Sequence, residues 1–87
     1  MKTITMFILK SCPYCQRALR YMEELMKEIP KYKDIPIKYI DEGMEPEIAE
    51  QYDYYYVPTY YVDDKKVHEG EATKEDVRRV FEKAIEE

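Results

Sequence analysis

Asparagine is absent from this chain, histidine occurs once (His68) and cysteine twice, and each shortage closes off a class of function. Without asparagine there is no acceptor for N-linked glycan. One histidine and one cysteine pair fall short of the four ligands that a structural zinc site takes, so no metal is expected. No apolar run approaches the roughly twenty residues of a membrane-spanning helix. The chain opens Met1-Lys2-Thr3 straight into a strand-like run with no secretory leader pattern, and a cytoplasmic location is expected. Positive charge is not in excess either, with 14 basic residues against 19 acidic ones and a net charge of -5. That balance argues against a nucleic-acid partner, which needs a basic footprint. At 87 residues the chain supports one hydrophobic core, and a single domain spanning 1–87, monomeric and soluble, is expected.

What the chain does have is Ser11-Cys12-Pro13-Tyr14-Cys15, which places its two cysteines two residues apart, after an apolar run and at the start of a helix-like pattern. A thiol acts as a nucleophile only as the thiolate, and a helix N-terminus offers unpaired N–H groups and a positive dipole end that favour the anion. Cys12 sits where those groups point. Cys15 follows about one helical turn later, within reach of Cys12 for a short disulfide loop. Pro13 suits the first helical turn, where its missing N–H costs nothing, and Tyr14 projects beside the sulfurs. So short a loop restrains the unfolded chain little, which disfavours a purely structural disulfide. A redox dithiol is the reading that remains.

Periodicity places the other elements. Thr3 to Leu9 reads as a central strand buried on both sides, with Ile4, Met6 and Ile8 on one face and Phe7 and Leu9 on the other. Ala18, Leu19, Met22, Leu25, Met26 and Ile29 recur at helical spacing, predicting a helix from about Pro13 to Glu28 that stops before Pro30. Lys31 to Asp34 reads as a polar connection and Ile35 to Ile40 as a second strand, parallel to the first through a right-handed crossover. Glu45 to about Tyr52 reads as a short helix. Thr59 to Val62 and Lys66 to Glu69 flank Asp63-Asp64-Lys65 as a hairpin. Thr73-Lys74-Glu75-Asp76 has the form of a capping box, ahead of a last helix with Val77, Val80, Phe81, Ala84 and Ile85 on one apolar face.

Cys12-Pro13-Tyr14-Cys15 resembles the dithiol signature of glutaredoxins, and the order of elements is similar to theirs across essentially the whole chain. The resemblance implies an α/β, thioredoxin-like fold, a central four-stranded mixed sheet flanked by three helices. Val57-Pro58-Thr59 is similar to the loop in which such proteins carry a cis-proline before the third strand. By that resemblance Cys12 is the nucleophile, Cys15 the resolving thiol and Val57-Pro58 the backbone on which substrate docks. The chain departs from the glutaredoxin pattern where glutathione is held. Tyr56 replaces the usual threonine before Val57, and His68-Glu69-Gly70-Glu71-Ala72-Thr73 stands in place of a Gly-Gly pair and a nearby aspartate. Glu71 would set an anion close to the site of an anionic tripeptide.

Lys10, two residues before Cys12, is a candidate for favouring the thiolate, as basic residues there do in glutaredoxins. With Tyr14, Val57 and Pro58 it completes the substrate-binding candidates. His68 falls on a hairpin strand and reads as a surface histidine. Of the ten tyrosines, Tyr60 and Tyr61 should point to opposite faces of the sheet, and Tyr54 to Tyr56 should approach the active-site loop. The expected function is thiol-disulfide exchange on disulfide-containing proteins or glutathione mixed disulfides, with glutathione or a thioredoxin reductase as reductant and no tightly bound cofactor. The alternatives are a protein disulfide reductase that does not use glutathione, an iron-sulfur carrier sharing a cluster between two chains through Cys12, and an interaction module in which the dithiol is incidental.

Overall fold

The structure, a computed structural model, describes residues 1–86. Four strands form one mixed sheet in the order β2-β1-β3-β4. They are β1 (Ile4–Ile8), β2 (Ile37–Asp41), β3 (Thr59–Val62) and β4 (Lys65–Glu69), and the helices are α1 (Pro13–Glu28), α2 (Pro46–Ala49) and α3 (Lys74–Ile85). β1 pairs parallel with β2 and antiparallel with β3, which pairs antiparallel with β4. The expected α/β architecture of a four-stranded mixed sheet with three helices is what forms.

Alternation along the central strands decides which side each residue serves. Ile4, Met6, Tyr60 and Val62 face α1 and α3, where Ala18, Met22, Leu25, Val77, Val80, Phe81 and Ala84 complete the main core. Phe7, Ile40 and Tyr61 face the other way, onto Ala49 of α2. Tyr60 and Tyr61 therefore lie on opposite faces, as their adjacency in a strand requires. The second face is short of helix, and tyrosines cover it. The Phe7 ring lies 4.7 Å from those of both Tyr52 and Tyr54. Tyr61 meets Tyr52 edge-on at 5.1 Å. Their hydroxyls reach the polar rim, Tyr54 donating to Glu42 at 2.8 Å and Tyr61 to the Asp53 carbonyl at 2.9 Å. This is the usual division of labour in tyrosine, an apolar body with a wet tip. Tyr54 thus belongs to the Phe7 cluster and not to the active-site loop, while Tyr55 and Tyr56 are 86 % and 70 % exposed.

Three other expectations change. Lys31 to Asp34 is no simple polar connection, because Pro30–Asp34 is a 3-10 helix that inserts Tyr32, wholly buried, into the core. Its ring stacks on Phe81 at 4.8 Å and its hydroxyl donates to Glu82. β2 begins at Ile37, after Pro36, whose carbonyl accepts from the Ile4 N–H at 3.0 Å. The short second helix ends at Ala49, and Glu50 to Tyr52 continue it only as a turn.

Local chemistry fixes the ends. α1 starts with Cys12 as N-cap and Pro13 in the first turn, and closes where the Ile29 N–H bonds to the Leu25 carbonyl ahead of Pro30. α3 carries the full capping box, with the Asp76 N–H donating to the Thr73 hydroxyl at 3.1 Å and the Thr73 N–H to the Asp76 carboxylate at 2.9 Å. At the hairpin tip Asp63 takes φ 52°, and its carboxylate accepts from the Thr3 N–H at 3.0 Å. The start of the chain is tied to α3 as well, the Lys2 N–H donating to the Ala84 carbonyl at 2.8 Å. Among the described residues no helix is long and apolar enough to cross a membrane.

Candidate active site

The turn that joins β1 to α1 sets the two sulfurs in unequal places. The Cys12 N–H bonds to the Leu9 carbonyl at 3.1 Å, and the Cys12 carbonyl accepts from the Cys15 and Gln16 N–H groups at 3.1 and 3.2 Å. Cys12 has an extended backbone, φ -84° and ψ 116°, and its side chain makes no capping bond to the helix. Its sulfur is not tied to the helix backbone, and Cys12 is only partly buried. Cys15 lies one turn on, on the face of α1 that continues through Ala18, Met22 and Leu25, and is only 1 % exposed. Both are free thiols. Burial pushes the Cys15 thiol up to about 12, with the nearby Cys12 and Glu42 adding to the rise and the Leu9 backbone opposing it.

Across from the dithiol stands the loop before β3. The Cys12 thiol points to the Val57 carbonyl at 3.9 Å, and the Val57-Pro58 peptide bond is cis. Val57 is half-buried, Pro58 is buried, and the Pro58 carbonyl is held by the Gly70 N–H at 2.8 Å. Cys12, Cys15, Val57 and Pro58, four of the residues singled out in the sequence, therefore meet at one end of the sheet.

The other two candidates stand at its edge. Tyr14 is 45 % exposed, with the Arg17 guanidinium 5.6 Å from its ring centre, within cation–π range. Lys10 is exposed in the turn, and among the described residues its ammonium forms no ion pair; what it contributes to the local structure is its carbonyl, which accepts from the Gln16 side chain at 3.0 Å. His68 sits on β4 and meets the Glu71 carbonyl at 3.0 Å. No group of three or more His, Cys, Asp or Glu able to hold a metal ion occurs among the described residues.

Two features were not legible in the sequence. Glu69, at the end of β4, clasps the loop before β3, its carboxylate accepting the Tyr55 N–H at 2.6 Å and the Tyr56 N–H at 3.0 Å while Lys66 donates to it at 2.7 Å. The lysine and the two amides hold this carboxyl down at about 2. Glu71 is no free anion either. It pairs with Arg17 at 3.2 Å, so that Tyr14, Arg17 and Glu71 form a chain of contacts from α1 to the loop after β4. Nothing in the local pattern links residues so far apart, and only the resemblance directed attention to the segment from Glu69 to Thr73.

A family model described as a thioredoxin domain matches residues 2–82. Among solved structures, the oxidised thioredoxin from Plasmodium falciparum superposes with a TM-score of 0.70 at 23% identity, covering 93% of this chain and 78% of that one. A malarial protein gives 0.70 at 17% identity with 97% of each chain covered. The thioredoxin of Fasciola hepatica gives 0.68 at 22% identity, covering 94% of this chain and 79% of its own. No curated protein matches. At these identities the structural neighbours speak for the fold.

Proposed function

The chain belongs to the thioredoxin-domain family, and on that footing we propose that it is a thiol-disulfide oxidoreductase that reduces protein disulfides through Cys12 and Cys15. The observation that carries this reading is the asymmetry of the pair, a reachable Cys12 sulfur facing the Val57 carbonyl and a Cys15 sulfur buried one turn behind it. Cys12, as thiolate, attacks a sulfur of the substrate disulfide and expels the first substrate thiol. A mixed disulfide then joins Cys12 to the substrate. Cys15 loses its proton and attacks the Cys12 sulfur, the second substrate thiol leaves, and that thiolate takes up a proton. The substrate gains two electrons, and the two cysteines give them up as they close into a disulfide.

The Val57 carbonyl and the neighbouring loop offer an extended substrate backbone a place to pair. The protein's own sulfurs carry the electrons, and no bound cofactor is required. For the reductant, we favour a thioredoxin reductase over glutathione. Arg17, beside Tyr14, is already paired with Glu71, and the Gly-Gly pair and aspartate of the glutaredoxin pattern are absent. The test is to oxidise the protein and follow return of its dithiol with NADPH and a thioredoxin reductase, or with glutathione. Reduction by the flavoenzyme at far lower concentration supports the reading. Efficient reduction by glutathione alone would place the protein with glutaredoxins instead, and failure to reduce any protein disulfide would remove the activity.

A further inference from the structure

Tyr55 and Tyr56 stand directly before Val57, yet their rings lie in solvent, 86 % and 70 % exposed. Side-chain packing therefore does not fix this stretch, and its backbone is held instead. One oxygen of the Glu69 carboxylate accepts the N–H groups of both residues, at 2.6 and 3.0 Å, while the other takes the Lys66 ammonium at 2.7 Å. The Tyr56 carbonyl accepts from the hydroxyl of Thr59, which is wholly buried. Two residues on, the Pro58 carbonyl accepts from the Gly70 N–H at 2.8 Å. Glu69 reaches the loop because it pairs with Thr59 across β3 and β4, and Gly70, at φ 89°, turns the chain beside Tyr56. Val57 lies between these holds, and its carbonyl is the group that the Cys12 thiol faces at 3.9 Å. Of the holds only Glu69 is charged, and it grips two successive amides. Bonds to an ionised acceptor are the stronger kind.

We propose that Glu69 is a positioning residue for disulfide exchange, fixing the backbone of this docking loop so that Val57 stands beside Cys12 ready for an extended protein substrate. This rests on the oxidoreductase reading above and concerns how substrate is bound, not how sulfur reacts. Glu69 exchanges no proton or electron with the dithiol. A loop that is already fixed loses little freedom when a peptide lays its backbone along it, so the clasp acts on affinity. Without the carboxylate, each substrate has to order the loop as it binds. A small disulfide has no peptide backbone to pair with Val57, and it meets Cys12 without using the loop.

The experiment compares a protein disulfide with a small one. Turnover of a disulfide-bonded protein such as insulin is followed with dithiothreitol returning the dithiol, and dithiobis-nitrobenzoate is mixed separately with the reduced enzyme. In Glu69→Ala the KM for the protein should rise by about tenfold while kcat, and the rate with the small disulfide, stay within about twofold of the parent. Glu69→Gln keeps an oxygen for the two amides but loses the charge, and its KM should fall between those of the parent and Glu69→Ala. A role confined to stability would lower the melting temperature and would not tell the two substrates apart. An unchanged KM for the protein overturns the proposal. So does an equal loss on both substrates, which would place the effect at Cys12. If Glu69→Ala does not fold, Glu69→Gln decides alone, and a parental KM in it overturns the proposal. If the parent itself adds nothing to the rate of dithiothreitol alone, the oxidoreductase reading fails, an outcome distinct from an unaltered Glu69 variant.

Discussion

The Cys12 thiol and the Val57 carbonyl stand 3.9 Å apart although 45 residues of chain separate them. The contact sets the reactive sulfur against the segment on which an extended substrate can lie. Cys15, the other half of the pair, is turned away into the protein. The first expectation concerns this inequality.

At neutral pH an alkylating reagent should label Cys12 and leave Cys15 nearly untouched, the two rates differing by on the order of a hundredfold or more. Burial and a thiol pushed up to about 12 both protect Cys15. Peptide mapping after timed alkylation reads the result. Cys12→Ser should abolish exchange. Preferential labelling of Cys15 would reverse the roles.

Cys15→Ser should keep the attack by Cys12 and lose its resolution. With a protein disulfide as substrate, the variant should accumulate a mixed disulfide visible on non-reducing gels, at a turnover at least about tenfold lower than the parent. Full turnover by this variant would show that Cys15 has no resolving role. If glutathione is a partner after all, the same variant would still remove glutathione from glutathionylated peptides, a step needing Cys12 alone.

Acid should loosen the docking loop in a defined window. The Glu69 carboxyl is lowered from 4.5 to about 2 by Lys66 and by the Tyr55 and Tyr56 amides. A depressed carboxyl contributes stability that is complete above its unfolded value and is lost as pH falls through its folded one. The loop clasp should therefore be intact above about pH 5 and fail towards pH 2. The Tyr55 and Tyr56 amide resonances should titrate together with a midpoint near 2 in the folded protein. A midpoint near 4.5 would mean that the clasp does not form.

Tyr32→Ala should be among the costlier core substitutions. Removing a fully buried aromatic ring that stacks on Phe81 costs about 3–5 kcal/mol in comparable cores. Domains of this kind have only about 5–15 kcal/mol in all. Chemical denaturation of the variant should show a much lower midpoint with a similar slope. Tyr32→Phe, which keeps the stack and loses only the bond to Glu82, should cost about 1 kcal/mol.

Tyr32 also marks where the sequence stopped being informative. The Pro13–Glu28 helix was legible to its last residue, because six apolar positions recur at helical spacing between Pro13 and Pro30. β1 was legible because burial on both sides leaves a near-continuous apolar run, and β3 because a β-prone stretch stands directly before the Asp63-Asp64-Lys65 turn. Pro30–Asp34 carries one apolar ring among lysines and an aspartate, and so short a segment has no period to read. The dithiol and Val57-Pro58 were found by motif, since the chemistry needs those residue types at that spacing. Glu69 was not, because a side chain that accepts backbone N–H groups 13 and 14 residues away leaves no trace in local pattern. Tyr54 misled for a related reason. Adjacent tyrosines look alike in sequence, and only the placement of Phe7 separates the one that is packed from the two that are exposed.

The bond between the Lys2 N–H and the Ala84 carbonyl brings the backbone just before β1 alongside the end of α3. They meet at the start of β1, whereas Cys12 follows its other end, about 17 Å away for a strand of this length. The molecule is thus nearly a closed ring whose seam lies at the pole opposite its chemistry. A short flexible splice across the seam, with new ends cut at the exposed Asp63-Asp64 tip, should give a permuted protein whose dithiol and docking loop keep their places.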